Sequence, residues 1–398
     1  MDNKKNEYLN KVISNVRWKA SHKRIYKELE AHIDDQTDAY ISSGMDEETA
    51  LSYAVSEMGD PIIVGKEMNL LYRPQPCFGL ILFIVTLAVI GITIQVMCEQ
   101  NITNIIYPYV LGGICFVIIY HMNISVFVKH LMSFSVTATI ISVALLYFDY
   151  YNPIISIKGM SKYTFLFYPF LLALVLCHYR HEQWKGIVKT AVFWGMQMFI
   201  SLCFFTLNAA PIIFICGFFI MLYAILHKLT EIKSKITCII YFIGISLIYL
   251  LAAGIYCYVR YSQYPTVFNN ILTDQNMSNH SLASEYHTVV DWISQIPFKI
   301  HGQAVESDLS ILPDSDYMLI HIAEKFGIGI LIILAIAVLG FVGFVMIKCC
   351  KQKSFIAQIV SLAILTTYFV QVIIYVASNF NPHILAAYPM PFITSGGS

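Results

Sequence analysis

The sequence predicts an all-α, polytopic membrane protein with a small helical domain at its N-terminus. The chain of 398 residues is 57% hydrophobic and 13% charged, and its mean hydropathy is +0.65. Its apolar residues fall into runs of membrane-spanning length, whereas the first 76 residues are polar and hold 13 of the 25 acidic side chains. A soluble protein of this size could not bury so much apolar surface, so soluble protein classes are excluded.

Residues 1–76 predict a cytoplasmic helical prefix domain with three short helices between residues 21 and 73. Ile25, Leu29 and Ile33 recur every four positions, which is typical of an amphipathic helix. Residues that end or begin helices mark the boundaries. They are Gly44, Asp46, Gly59, Asp60 and Pro61. The segment resembles the helical prefix found ahead of some bacterial permeases, which implies a docking or regulatory role; a solvated cap without a partner is the alternative.

Residues 77–398 predict nine membrane-spanning helices and form the second domain. Each apolar run is close to or above the ~20 residues that cross a bilayer, except the fourth, which is short. The runs are 77–97, 105–121, 131–148, 164–178, 187–206, 210–227, 236–258, 317–347 and 355–377. Lys and Arg concentrate in the linkers after the even-numbered runs, so these linkers and the N-terminus are predicted to be cytoplasmic.

The longest linker, 259–316, is predicted to be an external loop. It is too long for a simple connection between two helices. Its segment "YHTVVDWISQI" (286–296) predicts an amphipathic helix at the membrane surface. After the ninth run, "YPMPFITSGGS" has the composition of a tight turn back into the membrane, which predicts that a tenth span is missing, through either a truncated chain or a divergent end. The ten cysteines show no metal-ligand or disulfide spacing, so we expect them to be packing residues.

Four ionisable residues stand at the start of the eighth run, in "LPDSDYMLIHIAEKFG" (312–327). They are Asp316, His321, Glu324 and Lys325. On one continuous helix, Glu324 would lie ~12 Å deeper than Asp316 and ~80° around the axis. Charges in a membrane span usually face a cavity or a partner, so the cluster is either a functional site or a set of internal salt bridges. For Asp316, a helix cap and a catalytic base are both open.

This segment resembles the SEDS family (FtsW, RodA and SpoVE), whose motif reads Leu-Pro, Thr/Ser-Asp-aromatic, then Ala-Glu-Glu-Leu-Gly. Asp316 and Glu324 match its aspartate and first glutamate. A second motif is also similar: Gln371 precedes Pro391 by twenty residues, as in the family, and "PFITSGGS" follows. The resemblance implies that Gln371, Pro391, Gly396, Gly397 and Ser398, with His321 and Lys325, belong to a polar cavity.

The chain departs from the family pattern at several polar positions. Lys158–Gly159 is kept and Tyr168–Pro169 stands where the family has Gln-Pro, but the tryptophan, arginine and glutamate of that region are absent. The Gln-Pro-Asp between the fifth and sixth spans reads "LNAAP", the second glutamate is Lys325, and Tyr375 replaces an asparagine. The family scaffold is therefore expected, with part of its polar cavity lost.

The resemblance implies a peptidoglycan glycosyltransferase of the bacterial plasma membrane that polymerises lipid II for cell shape, division or sporulation. Asp316 would be the catalytic base and Glu324 would orient its neighbours. Lys158, Lys162 and Arg260 are weaker candidates for binding the pyrophosphate, as is a divalent cation such as Mg²⁺. The family also implies a class B penicillin-binding transpeptidase as partner. The alternatives are a degenerate, non-catalytic scaffold or sensor and a flippase or transporter of lipid-linked precursors.

Overall fold

The structure, a computed structural model, describes residues 2–72, 78–97, 102–121, 130–151, 161–204, 209–227, 235–263, 318–352, 354–380 and 390. These residues form helices joined by turns and contain no strand. The predicted all-α, polytopic fold is thus confirmed. The chain separates into two compact units, of which one includes Met1–Phe78 and the other begins at Gly79.

The N-terminal unit, which we call the head, contains the three α-helices predicted between residues 21 and 73 and a further α-helix before them that was not predicted. They are α1 (Asp2–Ser14), α2 (His22–Ser42), α3 (Glu47–Glu57) and α4 (Pro61–Tyr72). The predicted boundaries are confirmed: Gly44 and Gly59 have positive φ values of 99° and 81°. The side chain of Asp46 accepts hydrogen bonds from the backbone and the hydroxyl of Thr49. These bonds lower the pKa of Asp46, with the hydroxyl as the larger cause.

Helix α1 supplies three of the eight buried residues in the core of the head, Tyr8, Leu9 and Val12. Leu9 and Val12 are fully buried and pack against the stripe of α2 formed by Ile25, Leu29 and Ile33. Helix α4 lies so close to α1 that a methyl group on Gly65 would be 2.7 Å from the carbonyl oxygen of Val12. The apolar residues of α1 form two pairs four positions apart, Tyr8–Leu9 and Val12–Ile13, which is a helical spacing that the sequence-based prediction missed.

The second unit contains the membrane helices. They are α5 (Phe78–Met97), α6 (Ile102–His121), α7 (Leu131–Tyr151), α8 (Tyr168–His178), α9 (Gln183–Cys203), α10 (Ala209–Leu226), α11 (Lys235–Gln263), α12 (Met318–Phe326), α13 (Ile328–Cys350) and α14 (Phe355–Phe380). Within the described residues, seven helices are long and apolar enough to cross a membrane, and two shorter apolar helices cover 105–120 and 163–178. Each predicted span therefore coincides with an apolar helix.

Two predicted boundaries were wrong. The eighth span was expected as one helix over 317–347, but it is divided at Gly327 into α12 and α13. The external loop was expected to begin at residue 259, but α11 continues to Gln263. The predicted surface helix at 286–296 and the predicted turn at 388–398, apart from Met390, lie outside the described residues.

The centre of the bundle is the short helix α8, which packs against α7, α9, α10 and α14. Trp194 of α9 is fully buried beside it and donates a hydrogen bond from Nε1 to the carbonyl of Ile213 at 3.0 Å. Helix α11 joins this core through tyrosine hydroxyls. Tyr249 donates to the carbonyl of Ala191 at 2.7 Å, and Tyr256 donates to that of Leu202 at 3.0 Å. These polar contacts hold helices together where lipid gives no hydrophobic driving force.

Candidate functional site

The ionisable residues of the eighth span lie on a separate helix of nine residues, α12. Gly327 ends this helix with φ 82° and ψ 171°, and α13 begins at the next residue. That backbone region is essentially restricted to glycine, because a Cβ atom would clash there. The amide of Gly327 still bonds to the carbonyl of Ala323 at 2.8 Å. The break therefore lets α12 take its own position instead of continuing the axis of α13.

Helix α12 is buried on most of its surface. Five of its nine residues are buried apolar side chains, and they are Met318, Leu319, Ile320, Ile322 and Ala323. Three of them, Met318, Leu319 and Ile322, belong to one core cluster with residues of three other helices. These partners are Ile94 of α5, Leu334 and Val338 of α13, and Val372 and Tyr375 of α14. The apolar side chains of α12 therefore pack it against α5, α13 and α14.

A tyrosine of α14 holds the first residue of α12. The hydroxyl of Tyr375, which is fully buried, accepts a hydrogen bond from the backbone N–H of Met318 at 3.1 Å. The first N–H groups of any helix have no partner within the helix itself. Tyr375 thus supplies from another helix the acceptor that a capping side chain would otherwise provide. This bond connects the two segments whose motifs resemble the SEDS family.

Helix α14 presents a buried polar face around this tyrosine. Gln371 precedes Tyr375 by one helical turn, and Ser378 and Asn379 follow it by one turn; all four are buried. Ser378 Oγ and Asn379 Nδ2 donate to the carbonyl of Tyr375 at 2.9 and 3.0 Å. Of these four residues, the sequence pointed to Gln371 and Tyr375 through the motif alone. Ser378 and Asn379 were missed, although two adjacent polar residues at the end of an apolar run are themselves a signal.

A further buried amide lies on α5. Gln95 is 1% exposed and follows Ile94, which packs in the same cluster as α12. Its Nε2 donates to the hydroxyl of Tyr109 of α6 at 3.3 Å. Sequence reasoning did not select Gln95, although a glutamine in the otherwise apolar run "IGITIQVM" is unusual. The described part of the candidate site thus draws on α5, α12 and α14.

The predicted site residues are described to different extents. His321 is partly buried on α12, and Gln371 is buried on α14. Glu324 and Lys325 are placed on α12, Lys162 in the 3₁₀ segment Ser161–Phe167 and Arg260 on α11, but their side chains lie outside the description. The remaining predicted residues lie wholly outside the described part of the chain. They are Lys158, Asp316, Pro391, Gly396, Gly397 and Ser398.

Tyr168, which stands at a polar position of the family pattern, is part of the bundle core. It is fully buried, and its hydroxyl lies 2.8 Å from Ser142 Oγ. Because Ser142 itself donates to the carbonyl of Thr139, the tyrosine is the donor in this pair. The carbonyl of Tyr168 accepts from Nε2 of Gln197 at 3.1 Å. These groups stabilise the start of α8, and none of them is shared with the site around α12 in the described contacts.

Metal ligands are not gathered within the described residues, where no three His, Cys, Asp or Glu side chains lie close enough to hold an ion. The acidic residues of the predicted external loop, which are candidate ligands for the divalent cation, lie outside that part of the chain. The cation stays a prediction.

No protein-family model matches the chain, and no curated protein is similar enough to it to count as a relative. The SEDS resemblance therefore depends on the two short motifs and on the residues quoted for them.

Proposed function

We propose that the protein is a membrane-embedded, SEDS-type glycosyltransferase that polymerises lipid II at the outer face of the bacterial plasma membrane. The observation that carries this proposal is the bond between Met318 and Tyr375. The motif that contains Asp316 and Glu324 and the motif that begins at Gln371 are separated by almost fifty residues of chain. A shared catalytic cavity requires them to meet, and α12 and α14 do meet.

The reaction needs a base at the acceptor sugar. Asp316 takes the proton from a hydroxyl of one lipid-linked disaccharide, whose oxygen forms a bond to the anomeric carbon of a second. The bond from that carbon to undecaprenyl pyrophosphate breaks, and the configuration at the carbon inverts. Asp316 precedes Met318 by two residues, so chain geometry keeps its Cα within about 7 Å of an atom that Tyr375 fixes. A general base whose position is restricted is more often correctly oriented for proton transfer than a freely moving base, and it therefore catalyses the step faster.

The leaving pyrophosphate needs positive charge. Lys158, Lys162 and Arg260 are the candidate cationic residues, and Mg²⁺ is the candidate ion, because cations near a departing phosphate stabilise the charge that develops there. Glu324 and Lys325, with His321, orient the groups around Asp316. The lipid tail of the substrate explains a polytopic enzyme, since the substrate reaches the site from within the bilayer. The partner is a single-span transpeptidase of the class B penicillin-binding type, and the head lies in the cytoplasm.

The test is lipid II polymerisation by the purified full-length protein in liposomes that contain Mg²⁺. We expect glycan polymer from the wild type and none from Asp316→Asn. The matched control is Asp314→Asn, which removes the same charge two residues earlier and should leave polymerisation unchanged. Equal polymer from both variants would exclude Asp316 as the base. Removal of Mg²⁺ with a chelator should lower the rate if a divalent cation holds the pyrophosphate.

A non-catalytic scaffold is the second candidate, and Tyr375 favours it. A large, fully buried tyrosine fills a position where the family has an asparagine, which leaves less room for polar groups between α12 and α14. Correctly folded wild-type protein that binds lipid II but makes no polymer would support the scaffold over the enzyme. A third candidate, a flippase or transporter of lipid-linked precursors, would show translocation of labelled lipid II across vesicle membranes in the absence of polymerisation.

A further inference from the structure

Charge is unevenly distributed along α2, the longest helix of the head. The exposed charged side chains near its start are basic apart from Glu28 and include Lys23 and Lys27, whereas those in its second half are acidic. These acidic residues are Asp34, which pairs with Lys5, and Asp35 and Asp38. At 1.5 Å per residue, Lys23 and Asp38 are about 22 Å apart along the helix, so the two charges lie on different halves of α2.

The basic end of α2 adjoins the end of α4. The backbone N–H of Arg17 donates to Oδ1 of Asn69 at 2.9 Å. This bond places the exposed residues Arg17, Trp18 and Lys19 beside the last turn of α4. Arg24 is also nearby, but its charge is compensated by Glu28, whose carboxylate lies 2.9 Å from its Nε.

Exposed apolar side chains accompany these cations. Leu70 and Leu71 in the last turn of α4 are 58% and 74% exposed, and Trp18 is 42% exposed. Leucines of this exposure are unusual next to one another on a polar domain. Tryptophan with neighbouring cations is the combination that favours the interface between water and lipid headgroups. We call Arg17, Trp18, Lys19, Lys23, Leu70 and Leu71 the basic edge.

The basic edge is tied to the membrane by a short piece of chain. Helix α4 ends at Tyr72, and the first apolar helix of membrane-spanning length begins at Phe78. Five intervening residues can extend over at most about 20 Å. The end of α4 therefore cannot leave the vicinity of the membrane surface, whatever direction the head takes.

We propose that the basic edge of the head binds the anionic phospholipid headgroups of the membrane in which the protein is embedded. Arg17, Lys19 and Lys23 contact the lipid phosphates, and Trp18 with Leu70 and Leu71 enters the headgroup region. The acidic half of α2 is repelled from the same surface. The charge of the edge suits anionic headgroups, and the short connection selects a lipid surface as the occupant, rather than a second copy of the head.

Hydrogen exchange of the full-length protein in lipid nanodiscs tests this proposal. We expect the amides of residues 15–24 and 66–72 to exchange more slowly in discs with anionic lipid than in zwitterionic discs. The protection should weaken at high salt, because surface attraction is screened beyond the Debye length. Each basic residue near an anionic surface contributes roughly fivefold in affinity, so Arg17→Gln with Lys19→Gln should weaken the contact by roughly 25-fold and remove the protection.

The matched control is Lys4→Gln with Lys11→Gln. It removes the same formal charge from exposed lysines of α1 outside the basic edge, of which Lys11 is paired with Glu7, and should leave the protection intact. Equal exchange in anionic and zwitterionic discs would overturn the proposal, and so would equal loss in both double variants. Protection that appears only in discs with two copies of the protein would assign the edge to contact between heads. None of these outcomes depends on lipid II polymerisation.

Discussion

Two short helices inside the membrane unit, α8 and α12, are anchored alike and differ in chemistry. Nine of the eleven residues of α8 are buried, and five of the nine residues of α12 are buried apolar side chains. In each case a buried tyrosine hydroxyl forms a hydrogen bond near the start of the helix. Yet the buried residues of α8 are apolar apart from Tyr168, whereas α12 retains His321, Glu324 and Lys325.

The difference separates scaffold from site. The polar groups at the start of α8 bond to Ser142 and Gln197 and stabilise the bundle. Helix α12 is packed through its apolar residues and held at its start by Tyr375, and it carries three ionisable residues as well. Ionisable groups are costly in a membrane and are usually kept for function. Of the two short helices, α12 is thus the one on which to look for chemistry.

The largest expected effect comes from the same substitution in both helices. Leu174 of α8 and Leu319 of α12 are 4% and 6% exposed. Leu→Ala at either position should cost about 2 kcal/mol or more in the free energy of unfolding, mainly through lost packing. Because lipid is itself apolar, the free energy of transferring the leucine side chain from the protein interior to lipid contributes little to this cost. Reversible unfolding in mixed micelles measures this quantity.

Activity should then distinguish the two variants. Per folded molecule, Leu319→Ala should lower lipid II polymerisation, whereas Leu174→Ala should not. Leu251→Ala on the exposed side of α11 is the control, and its unfolding free energy should change by less than about 0.5 kcal/mol. Equal activity losses in the two buried variants would remove the distinction between scaffold and site.

The sequence predicted the fold well because apolar runs and loop charges report directly on spans. The sequence did not predict the break between α12 and α13 at Gly327. A glycine in an apolar run is usually tolerated inside a helix, and its backbone angles cannot be read from the residue type. The sequence-based prediction also missed α1, whose two pairs of apolar residues are diluted by lysine and asparagine. The resemblance of the two motifs to one family predicted that α12 and Gln371 belong to the same cavity. No local sequence pattern could show that Tyr375, rather than a nearby residue, contacts Met318.

A smaller effect is expected from Gly327→Ala. The backbone of Gly327 lies in a region that other residues avoid, so the alanine should cost about 1–3 kcal/mol in the free energy of unfolding. It should also favour continuation of α12 into α13 and thereby lower polymerisation. Gly343→Ala is the control, because Gly343 lies within α13 and nothing stands within 4 Å of the added methyl group. That variant should be neutral or more stable by up to about 1 kcal/mol.

Removal of the two buried hydroxyls gives the smallest and most specific comparison. Tyr168→Phe deletes one neutral hydrogen bond to Ser142, which should cost about 1 kcal/mol. Tyr375→Phe removes the acceptor of the Met318 N–H, and an unpaired backbone group in this apolar surrounding should cost about 1–3 kcal/mol. The decisive measurement is hydrogen exchange at the two helix starts, because phenylalanine keeps the packing volume of each ring.

Tyr375→Phe should speed exchange at the start of α12 and leave α8 unchanged, while Tyr168→Phe should not affect α12. If Tyr375 positions Asp316, the first variant should also lower the turnover of lipid II without a comparable change in the lipid II concentration at half-maximal rate. A similar loss of turnover in Tyr168→Phe, while the amides of α12 stay protected from exchange, would contradict the assignment of α8 to the scaffold and α12 to the site. Equal exchange in the wild type and in Tyr375→Phe would mean that apolar packing alone fixes α12, and that the contact between the two motifs is a consequence of the fold rather than a support for the catalytic base.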